Sequence, residues 1–306
     1  MRHFFYIILL FSGLIFSASA FAQTPTDALM MDAGQICIAA TYTHDTWDEY
    51  WEGELKRVNG NIGVLKRETL MPMFALGITD QINVIAALPL MRTEASGGQM
   101  AGVSGVQDFG LWIKARAFRQ NAGPGAVSGH AVLGLTLPAS NYLSDYMPLS
   151  LGLGCPDASV RGILEYRMDK GPLLRVQAGY QYRGVTTIER TYYYTTQGFY
   201  TNQVDVPNAL SYSAVLGSWL FHNTLRIEAS YDGLKTLGGF DIRRQDMGFP
   251  SNRMIFTRVG GSAQYYLPFL KGVGLLASGG YVLKGRNVGQ SAQIGGGFTW
   301  QFGLWN

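Results

Sequence analysis

An all-β chain, an antiparallel up-and-down transmembrane β-barrel of about twelve strands, is predicted by three features of this 306-residue sequence. Apolar and polar side chains alternate along most of it. Glycine (39 residues) and aromatic residues (13%) are both abundant, while charged residues make up only 15%, against roughly 25% in a soluble domain. The links between the alternating segments are short and long by turns.

Alternation places successive side chains on opposite faces of a strand. Leu174, Val176, Ala178, Tyr180 and Tyr182 form one apolar row, interleaved with Arg175, Gln177, Gly179, Gln181 and Arg183. The same split separates Val160, Gly162, Leu164 and Tyr166 from Arg161, Ile163, Glu165 and Arg167, and Leu225, Ile227, Ala229 and Tyr231 from Arg226, Glu228, Ser230 and Asp232. Near the end, Ala292, Ile294, Gly296, Phe298, Trp300 and Phe302 oppose Ser291, Gln293, Gly295, Gly297, Thr299 and Gln301. Twelve such segments are read, at 36–45, 64–78, 82–94, 107–118, 126–138, 157–168, 173–185, 207–221, 224–234, 252–266, 273–285 and 290–302. Those at 207–221 and 273–285 carry apolar residues on both parities, which leaves their facing open. Links after even-numbered segments are short, as at 79–81, 120–125, 169–172, 222–223 and 267–272; most others are long, about 46–63, 95–106, 139–156, 186–206 and 235–251.

The N-terminus supplies an address. A basic start (Met1-Arg2-His3), an apolar stretch from Phe4 to Phe16 and the small-residue site Ala20-Phe21-Ala22 have the build of a cleaved export signal, placed at 1–22 and leaving 23–306 as one barrel domain. An exported chain with an even number of amphipathic strands, short turns at one end and long loops at the other matches a bacterial outer-membrane barrel. Tyr166, Tyr180, Tyr182, Tyr231, Tyr265, Trp300 and Phe302 fall near strand ends on the apolar face, where aromatic girdles meet the membrane interfaces. Cys37 and Cys155 fall at opposite ends of this plan, too far apart for the 7 Å Cα separation a disulfide tolerates, so two free thiols are expected. A soluble β-sandwich would alternate likewise but gives no reason for systematic long and short links.

Beyond the leader, no apolar stretch approaches the 18 or more residues of a membrane helix. Lys and Arg are scattered singly, so the formal net charge of +3 makes no nucleic-acid stripe. His44, His130 and His222 are the histidines after the leader. His222 falls in a short turn, His130 faces inward beside Ser128, and His44 adjoins Asp45 at a loop start, which reads as a solvated turn rather than a catalytic base. Metal-ligand spacing and phosphate loops are missing from the sequence; no enzyme activity and no cofactor are implied.

The polar parity would line a lumen rich in cations. Lys114, Arg116, Arg161, Arg167, Arg175, Arg183, Arg226 and Arg258 outnumber Asp108, Glu165, Glu228 and Asp232 two to one, and such rows lower the barrier for anions in a poorly screened channel. Equally, Glu165, Arg167, Arg175, Arg226 and Glu228 can pair into a network that holds the lumen shut. In the long loops, Trp47, Tyr50 and Trp51, with Tyr192, Tyr193, Tyr194, Phe199 and Tyr200, could form an aromatic vestibule. The alternative is a hairpin turning near 195–198 with its tyrosines packed across strands. Only Gln23 to Gln35 precede the first segment, so no N-terminal plug comparable to that of the fatty-acid transporters is expected.

Four segments carry a family resemblance. Thr79 to Pro89 (TDQINVIAALP) resembles the "tDrl…slP" hairpin of outer-membrane proteins of the meta-pathway of phenol degradation family. Ser104 to Gly110 (SGVQDFG), Gly134 to Ser140 and Leu149 to Gly154 (LSLGLG) are similar to its further motifs in the same order, over roughly residues 70 to 182. Ala139-Ser140 departs from that family's Thr-Gly. The resemblance implies an outer-membrane transporter linked by gene association to aromatic compounds. The function expected is therefore a channel for small solutes, aromatic or anionic, with outer-membrane lipid and one solute as partners and no nucleic acid; the alternative is a surface-interaction barrel with a blocked lumen.

Overall fold

The computed structural model describes residues 23–242 and 249–304; the export signal expected at 1–22 lies outside them. Twelve antiparallel strands cross the barrel. They are β1 (Gln35–Trp47), β2 (Leu65–Thr79), β3 (Ile82–Ala87 continued by Leu90–Ala95), β4 (Ser104–Val106 continued by Asp108–Asn121), β5 (Gly125–Pro138) and β6 (Asp157–Met168). The second half comprises β7 (Pro172–Arg183), β8 (Ala209–Leu220), β9 (Leu225–Thr236), β10 (Ile255–Tyr266), β11 (Val273–Arg286) and β12 (Ala292–Gly303). Each pairs with its sequence neighbours, and β1 pairs with both β2 and β12, Gln35 opposite Gly303 and Thr46 opposite Ala292, so the sheet closes. Each of the twelve predicted segments coincides with a strand.

β3 is interrupted at Leu88-Pro89, where proline has no N–H to give the ladder, yet both of its pieces pair with β2. β4 is interrupted at Gln107, whose N–H bonds to the Pro89 carbonyl at 2.9 Å. The even-numbered links are tight turns. In the one after β8, Phe221, His222 and Asn223 all have positive φ (49°, 57° and 65°), an uncommon run for non-glycine residues, and Thr224 N–H closes back on the Leu220 carbonyl at 3.2 Å.

The alternation translates directly into facing. In β7, Leu174 and Val176 are exposed on the outer wall and Arg175 is buried; in β9, Ile227 and Tyr231 lie outside and Arg226 inside. Tyr182, Tyr231, Tyr265 and Trp300 are exposed on the outer face, and the Trp300 and Phe302 rings lie 4.6 Å apart. β8 resolves its ambiguity with Leu210, Tyr212 and Leu216 outward and Ser213, Val215 and Trp219 buried inward. The thiols of Cys37 and Cys155 are both free and buried, and burial pushes the Cys155 thiol up to about 11.

One sector of the wall is nearly bare. In β10 to β12 Gly260 faces Gly280, Gly261 faces Gly279, Ala277 faces Gly296 and Ser278 faces Gly295. Inward and outward positions alike lack bulk there.

Leu216 is among the most exposed apolar side chains, at 65%, midway along β8. Leu216→Arg should destabilise the barrel by about 2–4 kcal/mol, the cost of a cation on the lipid face near the bilayer midplane. Urea titration of folding into lipid vesicles measures it.

Candidate functional site: an occupied lumen

The lumen is built from the inward residues and from a segment that the strand pattern did not announce. Residues 23–33 fold back inside the barrel. Thr24-Pro25-Thr26-Asp27 makes a turn in which Asp27 Oδ2 accepts from the Thr24 hydroxyl at 2.7 Å and Oδ1 accepts from Leu29 N–H at 2.9 Å, the local bonding for which Asp and Thr are favoured in turns. Lys114 of β4, fully buried, donates to Asp27 Oδ1 at 2.7 Å and to the Thr24 carbonyl at 3.1 Å. Asn83 of β3 clamps the segment a second time: its Oδ1 accepts from Gln23 Nε2 (2.9 Å) and Met31 N–H (3.2 Å), and its Nδ2 donates to the Met31 carbonyl (3.1 Å). Leu29 enters an apolar cluster of Leu173, Val215, Trp219 and Tyr266. The expectation that no N-terminal plug was available is thus corrected. Eleven residues suffice because they are compact and anchored by side chains of the barrel wall.

Across the lumen lies a layer of charge. Arg175 (β7) makes a bidentate pair with Glu228 of β9, at 2.9 and 3.0 Å, and reaches Glu165 of β6 at 3.3 Å; Arg226 holds Glu228 at 2.6 Å. Arg175 must pass over β8 to do this. Gly217 of β8 gives Glu228 its room, since a Cβ there would lie 2.9 Å from Glu228 Cγ. The guanidinium groups of Arg167 and Arg226 sit 4.9 and 5.7 Å from the Trp219 ring. Of the expected network, Glu165, Arg175, Arg226 and Glu228 pair, whereas Arg167 stands outside it, donating to Asn223 Oδ1 at 2.8 Å.

The other predicted lumen residues stand above or below this layer. Arg161 donates to Gln177 at 3.0 Å, and Arg258 bonds to Asp232 and to Gln293, each at 3.3 Å. Arg183, further out, lies 3.5 Å from Asp157. Arg116 lies at the opposite, turn-bearing end, where it donates to the Asp80 carbonyl at 2.9 Å. Between them, buried Ser211 Oγ, Ser213 Oγ, Arg67 Nε and Arg258 Nε have no partner among the described residues, the condition in which buried polar atoms take water.

Arg119 joins this inward set although alternation hides it. A bulge between Arg116 and Phe118 lets Arg116 face His130 and Arg119 face Ser128 in β5, so both guanidiniums enter the lumen and Phe118 stays outside. A bulge re-aims side chains in this way. Its trace in the sequence is the phase break that puts Phe118 on the polar parity. His130 is inward as expected, with Nε2 3.1 Å from Ser128 Oγ.

The loop aromatics do not meet in one vestibule. Trp47 and Tyr50 lie 6.1 Å apart, Trp47 packs against the Ile62, Leu65 and Leu149 cluster, and Trp51 is buried near Gly285. Tyr193 stacks on Phe199 at 5.0 Å and Tyr192 lies 4.9 Å from Tyr200, in a hairpin that pairs Tyr193–Tyr194 with Gly198–Phe199. Tyr193 also joins a cluster with Ile188 and Val204. Six strands separate the two groups, so the cross-strand hairpin holds and a shared basin does not form. The 139–156 loop folds inward: Leu149 is fully buried, its carbonyl accepts from Thr93 Oγ1 at 2.6 Å, and Tyr142 bonds to Asp108. Burial and that carboxylate push the Tyr142 phenol far above its ordinary value.

No family model matches the sequence, and no curated protein matches it. Among solved structures, the fold is similar to the COG4313 outer membrane channel from Pseudomonas putida F1, with a TM-score of 0.74 at 15% identity over 92% of this chain and 100% of that one. The translocator domain of the autotransporter NalP from Neisseria meningitidis is a more distant likeness, with a TM-score of 0.44 at 14% identity over 87% of this chain and 88% of that one. The chain has the fold of an outer-membrane β-barrel.

Two tests follow from the contacts. Asp27→Ala leaves the Lys114 ammonium buried without its partner and should destabilise the barrel by about 3–5 kcal/mol, with Lys114→Met/Asp27→Leu recovering most of the loss in the same urea titration. Outside the membrane, Arg286 holds Asp241 at 2.6 and 2.7 Å and keeps its carboxyl down at about 2. A depressed carboxyl stabilises the folded state above its unfolded value near 3.8 and loses that contribution as pH falls through the folded one. The loop around Asp241 should therefore resist pepsin at pH 3 and be cut faster at pH 1.5, with Asp241→Asn abolishing the difference between the two.

Proposed function

We propose that the chain is an outer-membrane channel for small solutes, exported by a leader cleaved after Ala22 and closed at rest by its own N-terminal segment. The observation that carries the reading is the mismatch between filler and wall. The wall is continuous, polar and studded with buried polar atoms that lack protein partners. The filler is one short stretch held by Lys114, Asn83 and the Leu29 cluster, and it is joined to the wall covalently only where it runs into β1 at Gln35. A lumen meant only as a scaffold core would leave few of its buried polar atoms without partners. Removing the segment leaves a polar passage whose cations exceed its carboxylates, and anions cross such a passage more easily than cations do.

The resemblance of residues 79–89, 104–110, 134–140 and 149–154 to the meta-pathway of phenol degradation family supports placing the chain among transporters of aromatic compounds. It adds a solute class to a route argued from the lumen alone. The TM-score of 0.74 to a protein described as an outer membrane channel supports the channel reading and bears on no solute class.

Planar-bilayer recording tests it. The full chain should show small, infrequent openings, and a variant lacking residues 23–31 should show a steady, larger conductance with an anion-directed reversal potential under a salt gradient. Arg175→Gln in that background should shift the reversal potential towards zero. A deletion variant that is folded, as judged by heat-modifiable gel mobility, and silent would favour the surface-interaction barrel.

A further inference from the structure

Beside the N-terminal segment, at the end of the lumen bearing the tight turns, lies a cavity of about 340 Å³. Its two walls differ in kind. One consists of Ala28, Leu29 and Met30 of the segment together with Met168; the other carries Arg116, Arg119, Arg167 and His130, with the carboxylates of Glu165 and Asp169. An arginine has five N–H donors. Arg116 uses one on the Asp80 carbonyl, Arg167 one on Asn223 Oδ1 at 2.8 Å, and Arg119 makes no hydrogen bond or ion pair among the described residues. His130 is 4% exposed, and its Nδ1 has no hydrogen-bond partner. Its Nε2 lies 3.1 Å from Ser128 Oγ, and the ring lines the cavity.

The carboxylates nearby do not satisfy these donors. Glu165 is held by Arg175 within the charge layer, and Asp169 stands exposed at the rim. Lys114, Arg175 and Arg226 are balanced by Asp27, Glu165 and Glu228, so the unbalanced cations are those of the cavity wall. What is missing is an oxyanion. Arginines present forked donors suited to carboxylate oxygens, while the opposite wall is aliphatic and without donors.

We propose that this cavity binds a small amphipathic carboxylate. Its oxygens lie on Arg119, assisted by Arg116 and Arg167, and its alkyl body lies along Leu29, Met30 and Met168. That the cavity is the last seat of a passing solute rests on the channel reading; the binding itself does not.

Isothermal titration of the purified barrel in zwitterionic micelles with sodium hexanoate at pH 7, corrected for empty micelles, tests the site without requiring an open lumen. Saturable binding is expected, weakened about tenfold or more by Arg119→Gln, retained in part by Arg119→Lys and reduced by added salt. 1-Hexanol should show no saturable heat, and inorganic phosphate should bind more weakly than hexanoate. Because Arg119 makes no hydrogen bond or ion pair among the described residues, Arg119→Gln orphans none of them, and heat-modifiable mobility checks its fold. Equal binding to wild type and Arg119→Gln, or no binding to either, overturns the site. Phosphate binding as tightly as hexanoate overturns the amphipathic assignment. A silent bilayer with intact hexanoate binding would count against the channel alone, and conductance without hexanoate binding against this site alone.

Discussion

A sheet edge inside hydrocarbon would leave a row of N–H and C=O groups without partners, each costing several kcal/mol. The pairing of β1 with β12 removes that edge, and much else follows from it. With closure, every strand has two neighbours, so residues face either lipid or lumen and alternate except where a bulge shifts the phase. With twelve strands, the enclosed space is too wide for wall side chains alone to pack as they do in a smaller barrel. The interior must be wet, filled, or both.

This barrel is both. Its charge layer pairs by reaching across strands, leaving Arg175 Nε without a partner among the described residues, and it does so because a glycine stands where Arg175 and Glu228 meet over β8. Burying charge is unfavourable unless partners and hydrogen bonds are complete, and the bidentate Arg175–Glu228 pair with Arg226 on the same carboxylate comes close to completeness. Lys114 lacks any such partner on the wall. Its carboxylate comes from the N-terminal segment, so the filler is part of the electrostatics of the wall as well as of its packing.

Strand number, order and facing were legible in the sequence because a period of two is a strong signal whenever one face meets lipid. What escaped was whatever breaks the period. Residues 23–33 have no repeat, and their fit depends on side chains from β3, β4, β7, β8 and β10 that no local window brings together. A trace did exist: Val215 and Trp219, apolar on the polar parity of β8, made that segment ambiguous, and they are the residues that receive Leu29. Arg119 escaped for a similar reason, since a bulge shifts phase without altering composition. The loop tyrosines misled because exposure and clustering are indistinguishable in one dimension; Tyr193 is buried and Tyr200 lies at 88% exposure only seven residues later.

The bare sector of β10 to β12 sets the mechanics of the wall. Elsewhere, interlocking side chains on both faces resist bending, and a change of curvature must compress or part them. Where Gly260 faces Gly280 and Gly261 faces Gly279, curvature is opposed by the backbone ladder and little else, and glycine itself carries the widest torsional range. The barrel is therefore stiff over most of its circumference and compliant over one arc. Lateral pressure from the surrounding lipid, acting evenly, deforms the cross-section unevenly, and the ellipse it produces has its sharpest curvature fixed at that arc.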